Sequence, residues 1–216
     1  MWCDRQESEV AWPCSFVPLN PQPLRTGDSY QLKITLKWSK PPIWRRMVVP
    51  AGIDFMQLHL AIQAAMGWEN AHLFEFKAEG YRIGEVDEDF ADFGFGDDKV
   101  LEAAEVPVGK VLTAPKDQCV YEYDFGDGWL HDLVLEKVLP AGTAPSCTAG
   151  ALACPPEDCG GMGGYAMMLQ ALADRNHPEH AHYRAWIGRF DATRFDIVAA
   201  DQRVKTLFSP ARKKPR

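Results

Sequence analysis

Two runs in which apolar and polar residues alternate, Gln118 to Phe125 and Trp129 to Leu139, are separated by Gly126-Asp127-Gly128. Alternation of period two places one set of side chains on each face of an extended chain, and glycine accepts the positive φ of a tight turn. The segment therefore predicts a β-hairpin. The same pattern recurs upstream: Tyr30, Leu32, Ile34, Leu36 and Trp38 alternate with Gln31, Lys33, Thr35 and Lys37. Pro41-Pro42 ends that strand, and Ile43 to Val49 reads as a second one closing before Pro50. Asp54 is placed to cap a helix with Phe55, Leu58, Ile62, Ala65 and Met66 on one face, and Gly67 to stop it. His72 to Lys77 and Tyr81 to Ile83 suggest two further strands, and Glu85 to Asp98 an acidic loop. Pro140 to Gly164, rich in Gly, Pro and Cys, is read as neither helix nor strand. A connection of that length needs something to order it.

Helical patterns follow at Tyr165 to Ala173, Pro178 to Ile187 and Ile197 to Leu207, the last behind the candidate cap Asp196. Strands dominate the first two thirds and helices the last, without βαβ alternation. The expected class is α+β: an antiparallel or mixed sheet with the hairpin, one early amphipathic helix, and C-terminal helices packed alongside. Residues 1–27, with four prolines at 13, 18, 21 and 23, read as an extended arm; 28–207 as the domain; 208–216 as a basic tail.

Composition narrows the function classes. Net charge is −7, which disfavours general nucleic-acid binding without excluding it, since binding the phosphate backbone relies on lysine and arginine. No run approaches the roughly 20 apolar residues that span a bilayer, and the polar N-terminus lacks a signal-peptide pattern, so the expectation is a cytoplasmic chain. Six cysteines, three of them clustered, suit reduced thiols or a metal better than a disulfide framework.

Tyr121-Glu122-Tyr123-Asp124-Phe125-Gly126-Asp127-Gly128-Trp129-Leu130-His131, then Cys147, Cys154-Pro155-Pro156-Glu157-Asp158-Cys159-Gly160-Gly161 and Gly164-Tyr165, resemble the plasmid Ri Orf-three-like family. So do Pro42-Ile43-Trp44-Arg45-Arg46, Leu58-His59-Leu60-Ala61-Ile62, Gly67-Trp68, His72-Leu73-Phe74-Glu75-Phe76, His177-Pro178-Glu179-His180 and Phe190-Asp191. The resemblance spans 28–207. It implies a fold and an association with mobile elements through the label TnpR, an insertion-element passenger protein. No serine- or tyrosine-recombinase constellation accompanies it. The reading that follows is a binding or regulatory protein with an unidentified protein partner.

Two constellations carry chemistry. Cys147-x6-Cys154-x4-Cys159 supplies three thiols that can hold Zn²⁺, with His131 as a fourth ligand; the alternative is that they are small buried hydrophobes. Asp124, Asp127, Glu157 and Asp158 with His131 form a candidate catalytic set for a metal-dependent hydrolase or nuclease. The competing reading of those acids is turn chemistry, and it is preferred. His131, on the strand face of Trp129, Leu133 and Leu135, is expected in the core. His59 and His72 flank apolar faces, and a histidine metal site needs all three to converge. Trp38, Trp44, Trp68, Trp129 and Trp186 are read as core. Gly160-Gly161-Met162-Gly163-Gly164 precedes a helix but lacks the Lys-Ser/Thr ending of a phosphate-binding P-loop.

Overall fold

The computed structural model describes residues 27–78, 80–85 and 100–209. The expected arm (save Gly27), the acidic loop beyond Glu85 and most of the basic tail lie outside the described residues. Eight strands form one sheet: β1 (Ser29–Leu36), β2 (Trp44–Pro50), β3 (Phe74–Ala78), β4 (Tyr81–Gly84), β5 (Val100–Glu102), β6 (Gln118–Tyr123), β7 (Trp129–Leu139) and β8 (Ser146–Ala151). Their order is β5-β4-β3-β6-β7-β1-β2-β8. Every described pairing is antiparallel except β4 with β5. Helices α1 (Phe55–Met66), α2 (Gly161–Ala173), α3 (His180–Ile187) and α4 (Ile197–Leu207) complete the α+β arrangement.

Local chemistry sets these boundaries. Asp54 Oδ1 accepts the Gln57 amide at 2.7 Å while Gln57 Oε1 accepts the Asp54 amide at 3.3 Å, a capping box that closes the front of α1. Gly67 ends it at φ 92°, where a side chain would be strained. Tyr30, Leu32, Ile34 and Leu36 on β1, Leu133 and Leu135 on β7, and Phe55, Leu58 and Ile62 on α1 are all buried, so the alternating strands and the apolar helix stripe meet in one core. Burying each such side chain contributes about 1.5–3 kcal/mol. An aromatic seam runs through it: Phe76 lies 4.9 Å from Phe55 and 4.7 Å from Tyr121, and Trp68 stacks on Tyr123 at 5.0 Å.

The segment 140–164 departs from expectation. It contains strand β8, which pairs with β2 and forms the edge of the sheet, and the first turn of α2. The strand is hard to read because Ser146-Cys147-Thr148-Ala149-Gly150-Ala151 has almost no large apolar residue to alternate. Its smallness has a steric cause: a Cβ on Gly150 would lie 2.5 Å from the Phe195 ring. Helix α4 packs against β8 and α1. Asp201 Oδ1 accepts the Cys147 amide at 3.1 Å, and Arg203 Nε donates to Ala64 O at 2.7 Å. Two tryptophans also depart from the core assignment: Trp38, in a turn at φ 62°, and Trp186 are 65% and 45% exposed. Trp44 is half-buried; Trp68 and Trp129 are core.

Candidate functional site

The site is built where the end of α1, the β6–β7 turn and the start of α2 meet. After Gly67 the chain turns back, and Trp68 Nε1 donates to Pro155 O at 3.0 Å. Asn70 follows at φ 58°, a conformation that Asn tolerates better than most residues. A closed ring of hydrogen bonds holds it. His59 Nδ1 lies 2.8 Å from Tyr121 Oη and His59 Nε2 2.5 Å from Asn70 Oδ1; Gln63 Nε2 donates to Tyr121 Oη at 3.0 Å, and Asn70 N donates to Gln63 Oε1 at 3.1 Å. The ring closes with every group satisfied when Tyr121 donates to Nδ1 and the Nε2 proton goes to Asn70. Burial pushes the His59 pKa down to about 4, against the raising effect of Asn70, so the imidazole is neutral.

Glu157 ties this turn to the next segment. Its Oε2 accepts the Glu69 amide at 2.9 Å and its Oε1 accepts the Tyr123 hydroxyl in a short bond, while Tyr123 Oη accepts the Ala71 amide at 2.9 Å. Burial, then the bond to Glu157, raises the Tyr123 pKa and keeps it a donor. The hairpin turn is anchored in the same way. Asp124, at φ 56°, uses Oδ1 to accept the Gly126 and Asp127 amides at 3.0 and 3.3 Å. Asp127 Oδ2 accepts the Gly160 amide at 3.0 Å. A Cβ on Gly161 would lie 2.3 Å from Asp127 O, and one on Gly164 1.8 Å from Cys159 O. Close docking of backbone on backbone thus accounts for these two glycines, and the Gly160 amide is already taken by a carboxylate.

These anchors leave three groups facing one another: His72 Nε2, Asp124 Oδ2 and Asp158 Oδ1. Nitrogen-to-oxygen distances are 3.7 Å to Asp124 and 3.1 Å to Asp158. Among the described residues this is the one group of three or more His, Cys, Asp and Glu whose ligand atoms all lie within 4.8 Å of one another. His72 Nε2 is shielded from solvent, yet it makes no hydrogen bond of acceptable geometry among the described residues. Asp158, at φ 59°, joins Asp124 in the left-handed region; such backbone costs about 1–3 kcal/mol per residue and concentrates at functional sites. An imidazole nitrogen with two carboxylate oxygens is a donor set for a divalent cation, with Asp158, 70% exposed, on the solvent side.

The structure separates the other residues that the sequence singles out. Asp127 and Glu157 are taken up by amide and hydroxyl donors from distant segments, while the local turn bonds to the Gly126 and Asp127 amides are made by Asp124. His131 is in the core: its Nδ1 lies 3.0 Å from Trp129 O, and burial lowers its pKa to about 4. Cys147, Cys154, Cys159 and His131 do not gather their ligand atoms into a group. Burial raises the thiol pKa of all three cysteines, to about 12 at Cys154 and Cys159. A cation also lies close by. The buried Arg45 guanidinium donates to Ala65 O, Trp44 O and Ala151 O, stacks on Phe195 at 3.9 Å, and is felt electrostatically by Cys147 and Cys154. His59, His72 and His131 do not converge as ligands either. His180 Nδ1 bonds Ala171 O, while His177 Nδ1 accepts the Glu179 amide.

An eight-stranded mixed sheet with four helices, and a His-Asp-Asp cluster at the meeting of hairpin and helix ends, defines an α+β protein with a compact polar site. The chain belongs to the plasmid pRiA4b ORF-3-like protein family, whose model matches residues 28–199. It is 40% identical over 177 residues to the uncharacterized protein y4hQ of Sinorhizobium fredii, covering 79% of this chain and 85% of that one. It is also similar to the crystal structure of a protein of unknown function, MM3350, from Methanosarcina mazei, with a TM-score of 0.70 and 36% identity over 80% of this chain and 97% of the other. Among the described residues no helix is long and apolar enough to cross a membrane.

Proposed function

We propose that this chain is a binding protein whose ligand site is organised by a divalent cation held by His72, Asp124 and Asp158. The observation that carries this reading is the His72 Nε2 atom, shielded from water and without a hydrogen bond, facing two carboxylate oxygens. A neutral imidazole offers a lone pair there, and the two carboxylates supply the compensating charge. Binding is favoured over hydrolysis by where the remaining acids go. Of the five residues of the hydrolase reading, Asp127 and Glu157 are committed to fixed donors and His131 is sealed in the core, which takes three of that reading's five groups out of play.

The test is Mn²⁺ binding, followed by the loss of the free-ion electron paramagnetic resonance signal. Wild type binds about one equivalent. His72→Ala, at a half-buried position, and Asp158→Asn, at an exposed one, lose at least about tenfold in affinity, of the size seen when a metal site is disturbed. Absence of Mn²⁺ binding by wild type, or unchanged affinity in both variants, refutes the proposal.

A further inference from the structure

Asp158 also forms one wall of a cleft of about 340 Å³, whose other lining residues are Cys159 and, from α3, His182, Tyr183 and Trp186. Helix α3 buries none of its residues fully, but on this side it carries three rings in series. His182 and Tyr183 centroids are 5.5 Å apart, and those of Tyr183 and Trp186 6.2 Å. An exposed tryptophan on a helix is ordinary when it stands alone; here it shares a cleft with a residue of the cation cluster. Ligand sites combine an apolar or aromatic wall with a few convergent polar groups, and this volume is at the small end of their range.

The two halves ask for different chemistry in one ligand. A cation bound by a single imidazole and two carboxylates keeps coordination positions for outside oxygens, and these favour a phosphate. The rings of Tyr183 and Trp186 offer a face to a planar heterocycle, with stacking that does not depend on its identity. His182, on the same wall, can donate to an anionic oxygen. A net charge of −7 disfavours general affinity for polyphosphate backbones, so on this reading the cation supplies the local attraction.

Resting on the cation reading above, we infer that this cleft binds a mononucleotide, its phosphate on the cation beside Asp158 and its base against Tyr183 and Trp186. The inferred ligand is a single nucleotide because the cleft, at about 340 Å³, is at the small end of ligand sites.

The experiment is calorimetric titration of the full chain with AMP, with and without saturating Mn²⁺, using wild type and Trp186→Ala, and with Mn²⁺ affinity measured separately. The expected result is AMP binding that requires Mn²⁺ and weakens about ten- to a hundredfold in Trp186→Ala, while Mn²⁺ affinity is unchanged in that variant. Unchanged Mn²⁺ affinity also shows that the variant is folded. If Mn²⁺ binds but AMP does not, or binds equally well to Trp186→Ala, the nucleotide inference fails and the cation reading stands. If indole-3-acetate binds in the presence of Mn²⁺ and AMP does not, the ligand is an aromatic carboxylate and the inference is again overturned. If wild type binds no Mn²⁺, both readings fall together.

Discussion

Acid should unfold this protein through two buried histidines well before it protonates most carboxylates. His59 and His131 are both 0% exposed, and burial lowers the pKa of each from 6.5 to about 4. In the unfolded chain both rings take up a proton as the pH falls through 6.5, whereas in the folded chain both stay neutral until about pH 4. The unfolded state therefore binds more protons throughout that window, and stability falls as the pH falls. A displacement of about 2.5 pH units at about 1.36 kcal/mol per unit gives about 3 kcal/mol per ring, most of it lost between pH 6.5 and 4. Near pH 5 the two rings together give a slope of about 2–3 kcal/mol per pH unit, or about 1 M in urea midpoint. The assay is urea unfolding followed by tryptophan fluorescence from pH 8 to pH 5. His131→Phe shifts absolute stability through packing, but it should also remove about half of the slope, which packing alone does not change. A midpoint that stays flat between pH 7 and pH 5 in wild type, or an unaltered slope in His131→Phe, refutes the reasoning.

Two further outcomes follow from contacts around the site. Gly161→Ala places a methyl group 2.3 Å from Asp127 O on a backbone at φ 64°, so it should destabilise by about 2–4 kcal/mol in thermal unfolding and weaken Mn²⁺ binding by displacing the turn that carries Asp124. Cys147→Ser and Cys154→Ser should leave metal content by elemental mass spectrometry unchanged, because burial keeps these thiols protonated against the lowering effect of the Arg45 guanidinium; metal lost in both variants would restore the thiolate site.

The fold was legible wherever side-chain size alternated. Helix α1 starts and stops where Asp54 and Gly67 place it, and α4 spans Ile197–Leu207 behind Asp196, whose Oδ1 accepts the Ala199 amide at 3.0 Å. Strand β7 likewise has the expected limits, Trp129–Leu139. What sequence periodicity could not show was β8, where the packing of Phe195 excludes a side chain at Gly150 and the other residues are too small to carry a pattern. The turn between β6 and β7 is also longer than its glycines suggest. Asp124 already leaves the ladder, and Gly128 N donates to Asp124 O at 2.6 Å.

The site was half legible, and the missing half has a specific cause. Asp124 and Asp158 stand out as acids in turn-rich sequence, but His72 falls into step with Phe74 and Phe76 and so reads as an inward strand residue. Parity is a property of extended chain, and β3 begins only at Phe74. Two residues earlier the backbone is still recovering from the left-handed Asn70, which frees His72 to turn toward the acids. The available signal was Gly67-Trp68-Glu69-Asn70, a helix stop followed by a residue that tolerates positive φ, which breaks the count before His72 is reached. Asn70 is in turn fixed by His59, Gln63 and Tyr121 from α1 and β6, so the position of the one nitrogen ligand depends on a buried network that leaves no periodic trace. On this argument Asn70→Ala, which touches neither acid, should weaken Mn²⁺ binding almost as much as loss of the imidazole itself, because the turn that presents His72 would lose both its conformational preference and its hydrogen-bond ring.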